Sequence, residues 1–154
     1  MDNIALRQVH HGGITIQVPE IWEVETETYD EPGGQKSYTI DIEAQGNDIR
    51  SINISYGPMP EDSDAYAEAC GTYEEVMETE ELDASDEPIM CFGFKEGKAY
   101  GFNLHTEEGL PCFFFCTDVK SGKETSLLTV LVCAPDNDEM QSLIDFVEEY
   151  LDLH

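Results

Sequence analysis

The sequence predicts an α+β fold, a three-layer α/β/α sandwich built around an antiparallel sheet. Apolar and polar residues alternate along much of the 154-residue chain, which is the period of a half-buried strand. Two segments instead place apolar residues at helical spacing. Several later strands are apolar on both faces, so both faces of the sheet need cover. One helix on each face supplies that cover.

The first part of the chain is predicted to form strands joined by turns. Ile14, Ile16 and Val18 alternate with polar residues, and Trp22 and Val24 alternate with glutamates. Clusters of Gly, Pro, Asn and Asp separate these segments and indicate turns. The predicted strands are 14–18, 22–29, 37–44 and 49–56.

The period changes to that of a helix between residues 62 and 77. The apolar residues in this segment form one stripe, and Asp62 or Ser63 is positioned to cap the first turn. Gly71 lies inside the segment and costs about 1 kcal/mol of helix stability relative to alanine. The stripe consists of Tyr66, Ala69, Cys70, Tyr73, Val76 and Met77.

The second half of the chain predicts an antiparallel meander followed by a helix. Glu96-Gly97 and Ser121-Gly122 are two-residue connections typical of tight hairpins. The final helix is predicted over 137–151, with Asp136 and Glu139 forming a capping box at its start. The meander strands are 89–94, 98–106, 111–119 and 125–134.

Length and charge limit the classes of function. A chain of 154 residues suits a single domain spanning 1–154, and its net charge is −27. Repulsion from phosphates argues against nucleic acids and anionic membranes, while the same charge favours solubility and would steer basic partners towards the surface. No apolar run approaches the roughly 18 residues of a membrane span. The first residues lack the segments of a secretion signal, so we expect a cytoplasmic protein with reduced cysteines.

No motif for catalysis, a cofactor or a metal is recognised. Cys112 and Cys116 share a strand face but lie about 13 Å apart, too far to chelate one ion by themselves. Cys91 or Cys133 could approach one of them from a neighbouring strand. The four histidines suit surface or turn positions, and Asp136-x-Asp138 suits a helix cap better than a calcium loop. We therefore expect no cofactor and no metal.

The distribution of charge suggests where a partner binds. Residues 61–88 hold twelve acids and no base, whereas the meander is almost neutral. The first and third meander turns carry lysines and must lie at the same end of an antiparallel sheet. Those lysines could protect the sheet from edge aggregation, orient a partner, or mediate head-to-tail self-contact. The candidate partner-binding residues are Glu78, Glu80, Glu81, Asp83, Asp86, Glu87, Lys95, Lys98, Lys120 and Lys123.

The order of elements and the segment from Gly13 to Trp22, a strand running into Pro-x-x-Trp, resemble the Mog1/PsbP-like group. The order of elements covers nearly the whole chain. The resemblance implies a non-catalytic accessory or adaptor role, because members of the group include a Ran GTPase-binding protein, extrinsic photosystem subunits and chaperones for secreted effectors. No partner-contact residue carries over. Because the first residues do not have the pattern of a signal sequence, we expect the protein to differ from the exported members of the group.

Three functions remain open at this point. The first is an intracellular adaptor of bacterial type that binds a protein through an acidic surface. The second is an acidic inhibitor, or immunity-type protein, that neutralises a basic toxin or nuclease. The third is a small enzyme whose site is assembled from distant residues, for which a deep pocket with a shifted carboxylate or His105 would be the sign.

Overall fold

The computed structural model describes residues 5–44, 50–78, 82–84, 89–95, 97–106, 109–121 and 124–153. The strands among them are β1 (Leu6–His11), β2 (Ile14–Pro19), β3 (Glu23–Asp30), β4 (Lys36–Glu43), β5 (Ser51–Pro58), β6 (Leu82–Ala84), β7 (Met90–Phe94), β8 (Gly97–Thr106), β9 (Pro111–Ser121), β10 (Glu124–Cys133) and β11 (Leu151–Leu153). The helices are α1 (Ala65–Glu78) and α2 (Asn137–Tyr150). Neither helix has the length and apolar composition needed to cross a bilayer, within the residues described.

The strands form one large and one small antiparallel sheet. The large sheet has the order β3-β4-β5-β10-β9-β8, and both β6 and β7 pair with β8. β7 pairs with the first half of β8 and β6 with the last residues of that strand. The small sheet has the order β1-β2-β11.

The three-layer arrangement is confirmed, with α1 and α2 on opposite faces of the large sheet. Successive residues of β9 point to opposite faces. Phe114 belongs to the core beneath α1, whereas Phe113 and Phe115 belong to the core beneath α2. The small sheet shares the α2 layer, where Ile14 and Ile16 are fully buried.

Three strands in the structure were not predicted. β1 offers a weak signal because its residues are mostly exposed and include two adjacent histidines. β6 and β11 have three residues each and are held by pairing with β8 and β2, so no local pattern marks them. The predicted end of the last helix shifts by one residue, because Leu151 leaves the helix to pair with Ile16.

The start of α1 differs from the prediction. Asp62 has a φ of 57°, so the helix cannot begin there, and the Ser63 hydroxyl donates to Glu68 instead. The cap is Asp64, whose carboxylate accepts a hydrogen bond from the Ala67 amide at 2.8 Å. The cap of α2 is confirmed, since Asp136 accepts from the Glu139 amide at 2.8 Å.

Candidate docking surface

Helix α1 covers only part of its side of the large sheet. It packs against β6, β8 and β9, while β10, β5, β4 and β3 extend beyond it. Along β5, buried residues such as Ile52 and Ile54 face α2, and the half-buried Ser51, Asn53 and Ser55 face the α1 side. We call the α1-side face of β3, β4, β5 and β10 the open face.

Carboxylates are concentrated at the β3–β4 edge of the open face. The register pairs Glu23 with Glu43 and Glu25 with Asp41 across the two strands. Like charges that lie directly opposite in an antiparallel pair destabilise the sheet. None of the described side chains on this face is a lysine or arginine. The open-face carboxylates are Glu23, Glu25, Glu27, Asp41 and Glu43.

Neighbouring polar groups hold some of these carboxylates in place. Asn53 donates a side-chain hydrogen bond to Asp41 from the adjacent strand β5. The Tyr29 hydroxyl donates to the Glu27 carboxylate. That hydrogen bond, together with the nearby carboxylate charge, raises the pKa of Tyr29 above its usual range. The single proton of the phenol is therefore used in the contact with Glu27.

The outer side of α1 is acidic as well, and its flank above β8, where Tyr66 packs on Tyr100, carries exposed apolar groups. Glu74, Glu75 and Glu78 are exposed on the helix. Tyr66 is 53% exposed and Met77 is 54% exposed, which is unusual for large apolar side chains in a helix that packs on a sheet. The helix thus combines negative charge with apolar side chains that a partner can bury.

Relieving one like-charged pair should stabilise the free protein. We expect Glu25→Gln to raise the free energy of unfolding by about 0.5 kcal/mol at low salt, because the repulsion from Asp41 disappears. Urea unfolding at low salt and at about 1 M salt, where the Debye length is near 3 Å, checks this. Glu20→Gln removes one charge from an exposed residue outside any strand and serves as control. An equal gain in both variants would contradict the pairwise repulsion.

The structure brings three of the predicted lysines together. Because β7, β8, β9 and β10 are antiparallel neighbours, the β7–β8 and β9–β10 turns lie at one end of the sheet. Lys95, Lys98 and Lys120 line a cavity of about 890 Å³ at that end. Lys123 lies outside the described residues. The cavity is also lined by Tyr100, Thr117, Asp118 and Asp152.

Lys95 contributes to the fold as well as to the cavity. Its ammonium donates to the Glu148 carbonyl at 2.6 Å, and its amide donates to the Glu148 carboxylate at 2.9 Å. A cation beside the last carbonyls of α2 is favoured by the helix dipole. Lys95 therefore ties the β7–β8 turn to the end of α2.

The lysine end also contains acids that sequence reasoning did not place there. Asp118 accepts a hydrogen bond from the Ala65 amide at 2.9 Å, which brings the start of α1 to the cavity. The pKa of Tyr100 is raised, chiefly by Cys91 and by burial. The charge of Asp64, the cap of that helix, adds to this effect and so lies near the phenol. The cavity is therefore of mixed charge.

The predicted acidic residues are divided between described and undescribed parts of the chain. Glu78 is exposed at the end of α1, and Asp83 lies in β6 opposite His105, far along β8 from the lysines. Glu80, Glu81, Asp86 and Glu87 lie outside the described residues. The alternation of glutamates in β3 is visible in the sequence. It does not show that β3 pairs with β4, so the open-face carboxylates were not predicted to form a site.

The described residues offer no cluster of side chains suited to a metal ion. No three His, Cys, Asp or Glu side chains in that part of the chain converge to hold an ion. His10 bonds Thr15 at 2.7 Å, and His11 bonds the Glu27 carbonyl at 2.8 Å. The His11 contact ties β1 to β3.

Comparison with known proteins relates the chain to others by fold. No protein-family model and no curated protein sequence matches it. The solution structure of the cyanobacterial PsbP protein CyanoP from Synechocystis sp. PCC 6803 superposes with a TM-score of 0.61 at 15% identity, covering 99% of this chain and 95% of that one. The crystal structure of LpqN, involved in cell envelope biogenesis of Mycobacterium tuberculosis, superposes with a TM-score of 0.57 at 18% identity, covering 99% and 92%. The chain therefore has the Mog1/PsbP-like fold that the order of its elements predicted.

Proposed function

We propose that this protein is a non-catalytic adaptor that binds a basic protein through the open face and the adjoining side of α1. The two like-charged pairs across β3 and β4 are the observation that carries the proposal. Their repulsion weakens the free protein and would be relieved by a lysine or arginine placed between the carboxylates. The likeness to CyanoP and LpqN supports an accessory role at the level of fold only.

The charge of the whole chain supports the same class of partner. At a net charge of −27, the surrounding field attracts basic surfaces and repels phosphates. We further propose that the protein and its partner meet in the cytoplasm and that neither nucleic acid nor a membrane is its ligand. The attraction acts mainly on the rate of association and weakens as salt is added.

A partner that reaches from the open face across α1 would meet two exposed apolar side chains. Tyr66 packs on Tyr100 of β8, and Met77 lies about three helical turns further along the same flank of α1. Aromatic and methionine side chains are enriched where interfaces bury their cores, while charged rims add specificity. A basic partner with an apolar centre fits this combination.

Affinity capture from native extract of the source organism tests the proposal. The test variant carries Glu23→Gln, Glu25→Gln and Asp41→Asn on the open face. The control variant carries Glu20→Gln, Glu149→Gln and Asp145→Asn, which removes the same charge from exposed positions elsewhere. We expect the test variant to retain its basic partner about tenfold more weakly, because three contacts of about 0.5 kcal/mol each are lost.

The outcomes distinguish the remaining possibilities. Retention by the wild type and the control, with release at high salt, supports docking on the open face. Equal retention by both variants would show that total charge, and not this face, binds the partner. If the partner is a toxin or nuclease whose activity the protein blocks, the function is that of an acidic inhibitor using the same surface.

A further inference from the structure

Two of the five cysteines lie directly opposite each other in the large sheet. Cys112 in β9 pairs with Cys133 in β10. Both point to the α1 side, where Cys112 is buried in the core and Cys133 is half-buried at its margin. The sequence allowed Cys133 to approach Cys112 or Cys116 from a neighbouring strand, and the register shows that its neighbour is Cys112.

The backbone hydrogen bonds show which kind of cross-strand pair this is. The Ala134 amide donates to the Pro111 carbonyl at 3.1 Å, so the pair just beyond the cysteines is hydrogen-bonded. Hydrogen-bonded and non-hydrogen-bonded pairs alternate along an antiparallel ladder. Cys112 and Cys133 thus form a non-hydrogen-bonded pair, whose Cα atoms are about 4.5 Å apart and whose side chains are closest. Disulfides span Cα separations from about 4.4 Å upwards.

The two thiols interact and are not equivalent. The Cys112 thiol donates to the Leu110 carbonyl at 3.6 Å. Its interaction with Cys133, together with burial, raises the pKa of Cys112, and the same interaction lowers the pKa of Cys133. Ser51, opposite Cys133 on β5, also lowers the pKa of Cys133 through a hydrogen bond. Because the thiolate is the nucleophile in thiol–disulfide exchange, the accessible Cys133 is the attacking group and the buried Cys112 the resolving one.

We propose that Cys112 and Cys133 are an oxidation site that forms a reversible cross-strand disulfide with small-molecule disulfides as oxidants. The Cys133 thiolate attacks one sulfur of the oxidant, forms a mixed disulfide and releases one thiolate. The Cys112 sulfur then attacks Cys133, and its proton leaves with the second released thiol. The protein loses two electrons and two protons, and the small disulfide becomes two thiols.

The other cysteines have different surroundings. Cys116 faces Thr129 across the same two strands, and burial raises its pKa to about 12. Cys91 is exposed opposite Tyr100 in β8. Cys70 lies on α1, where it hydrogen-bonds Tyr66. None of these three residues is opposite another cysteine in the sheet.

Oxidation in a glutathione buffer tests the site. Reduced protein is equilibrated with mixtures of reduced and oxidised glutathione, free thiols are alkylated, and peptides are identified by mass spectrometry. We expect a peptide pair linked between Cys112 and Cys133, lighter by two hydrogen atoms and released by dithiothreitol. Its absence at all buffer ratios, with glutathione attached only at Cys91, would overturn the proposal.

Single substitutions test the role of each thiol, and the melting temperature of each variant shows whether it folds. Cys112→Ala should accumulate glutathione on Cys133 because the resolving thiol is gone. Cys133→Ser should leave Cys112 unmodified because that thiol is buried. Cys91→Ser is the matched control and should keep the link at wild-type level. Thermal melting of the reduced variants identifies any that do not fold, and linkage of Cys112 to a residue other than Cys133 would contradict the assignment.

Discussion

We expect Gly101→Ala to lower the free energy of unfolding by about 3 kcal/mol, the upper end of the range for overpacking. A Cβ at this position would lie 2.3 Å from the Phe114 carbonyl oxygen and 2.7 Å from the Phe115 Cβ. The first of these atoms is backbone, so no side-chain rotation relieves the contact. β8 would have to move away from β9, where residues of the two cores lie on opposite faces of the sheet. Urea unfolding measures the change, with the midpoint falling at unchanged slope.

Gly93→Ala is the matched control for this prediction. Gly93 lies in β7, the hairpin partner of β8, and a Cβ there meets no atom within 4 Å. We expect its stability to stay within about 0.5 kcal/mol of the wild type. Equal loss in the two variants would mean that strand glycines matter here for a reason other than the close approach of β9.

The second large effect is expected for Phe115→Ala, which should cost about 3–5 kcal/mol. Phe115 is 0% exposed in the core beneath α2. Its ring centroid lies 5.0 Å from that of Phe94 and 5.5 Å from that of Phe92. Truncation removes apolar area and leaves a cavity that strands held by backbone hydrogen bonds on both sides cannot close. Calorimetric melting and urea unfolding check the loss.

Ile21→Ala is the control, because it truncates an apolar side chain on the surface. Ile21 is 68% exposed, so its truncation should change stability by less than about 0.5 kcal/mol. A loss at Phe115 no larger than that at Ile21 would show that the aromatic core beneath α2 is not packed as described.

Local patterns in the sequence were sufficient for the layers and for most of the strands and helices. Ile52 and Ile54 alternate with polar residues because one face of β5 is buried, and a period of two marks such a strand wherever it lies. Asp136 and Glu139 marked the start of α2 because capping involves neighbours in the chain. The lysine turns could be placed at one end of the sheet because a meander admits only that geometry. Their part in binding a partner stays a prediction.

The sites depended on contacts between distant segments, which only the tertiary structure decided. Alternation indicates which residues of β3 share a face, but not that Glu25 lies opposite Asp41 or that α1 leaves this face open. Cys112 and Cys133 are 21 positions apart, and their pairing follows from the register of β9 and β10. A one-residue slip in that register would send the two thiols to opposite faces. The sequence therefore determined most of the elements and their buried sides, whereas strand order and register determined the short strands β6 and β11 and which charges and which thiols meet.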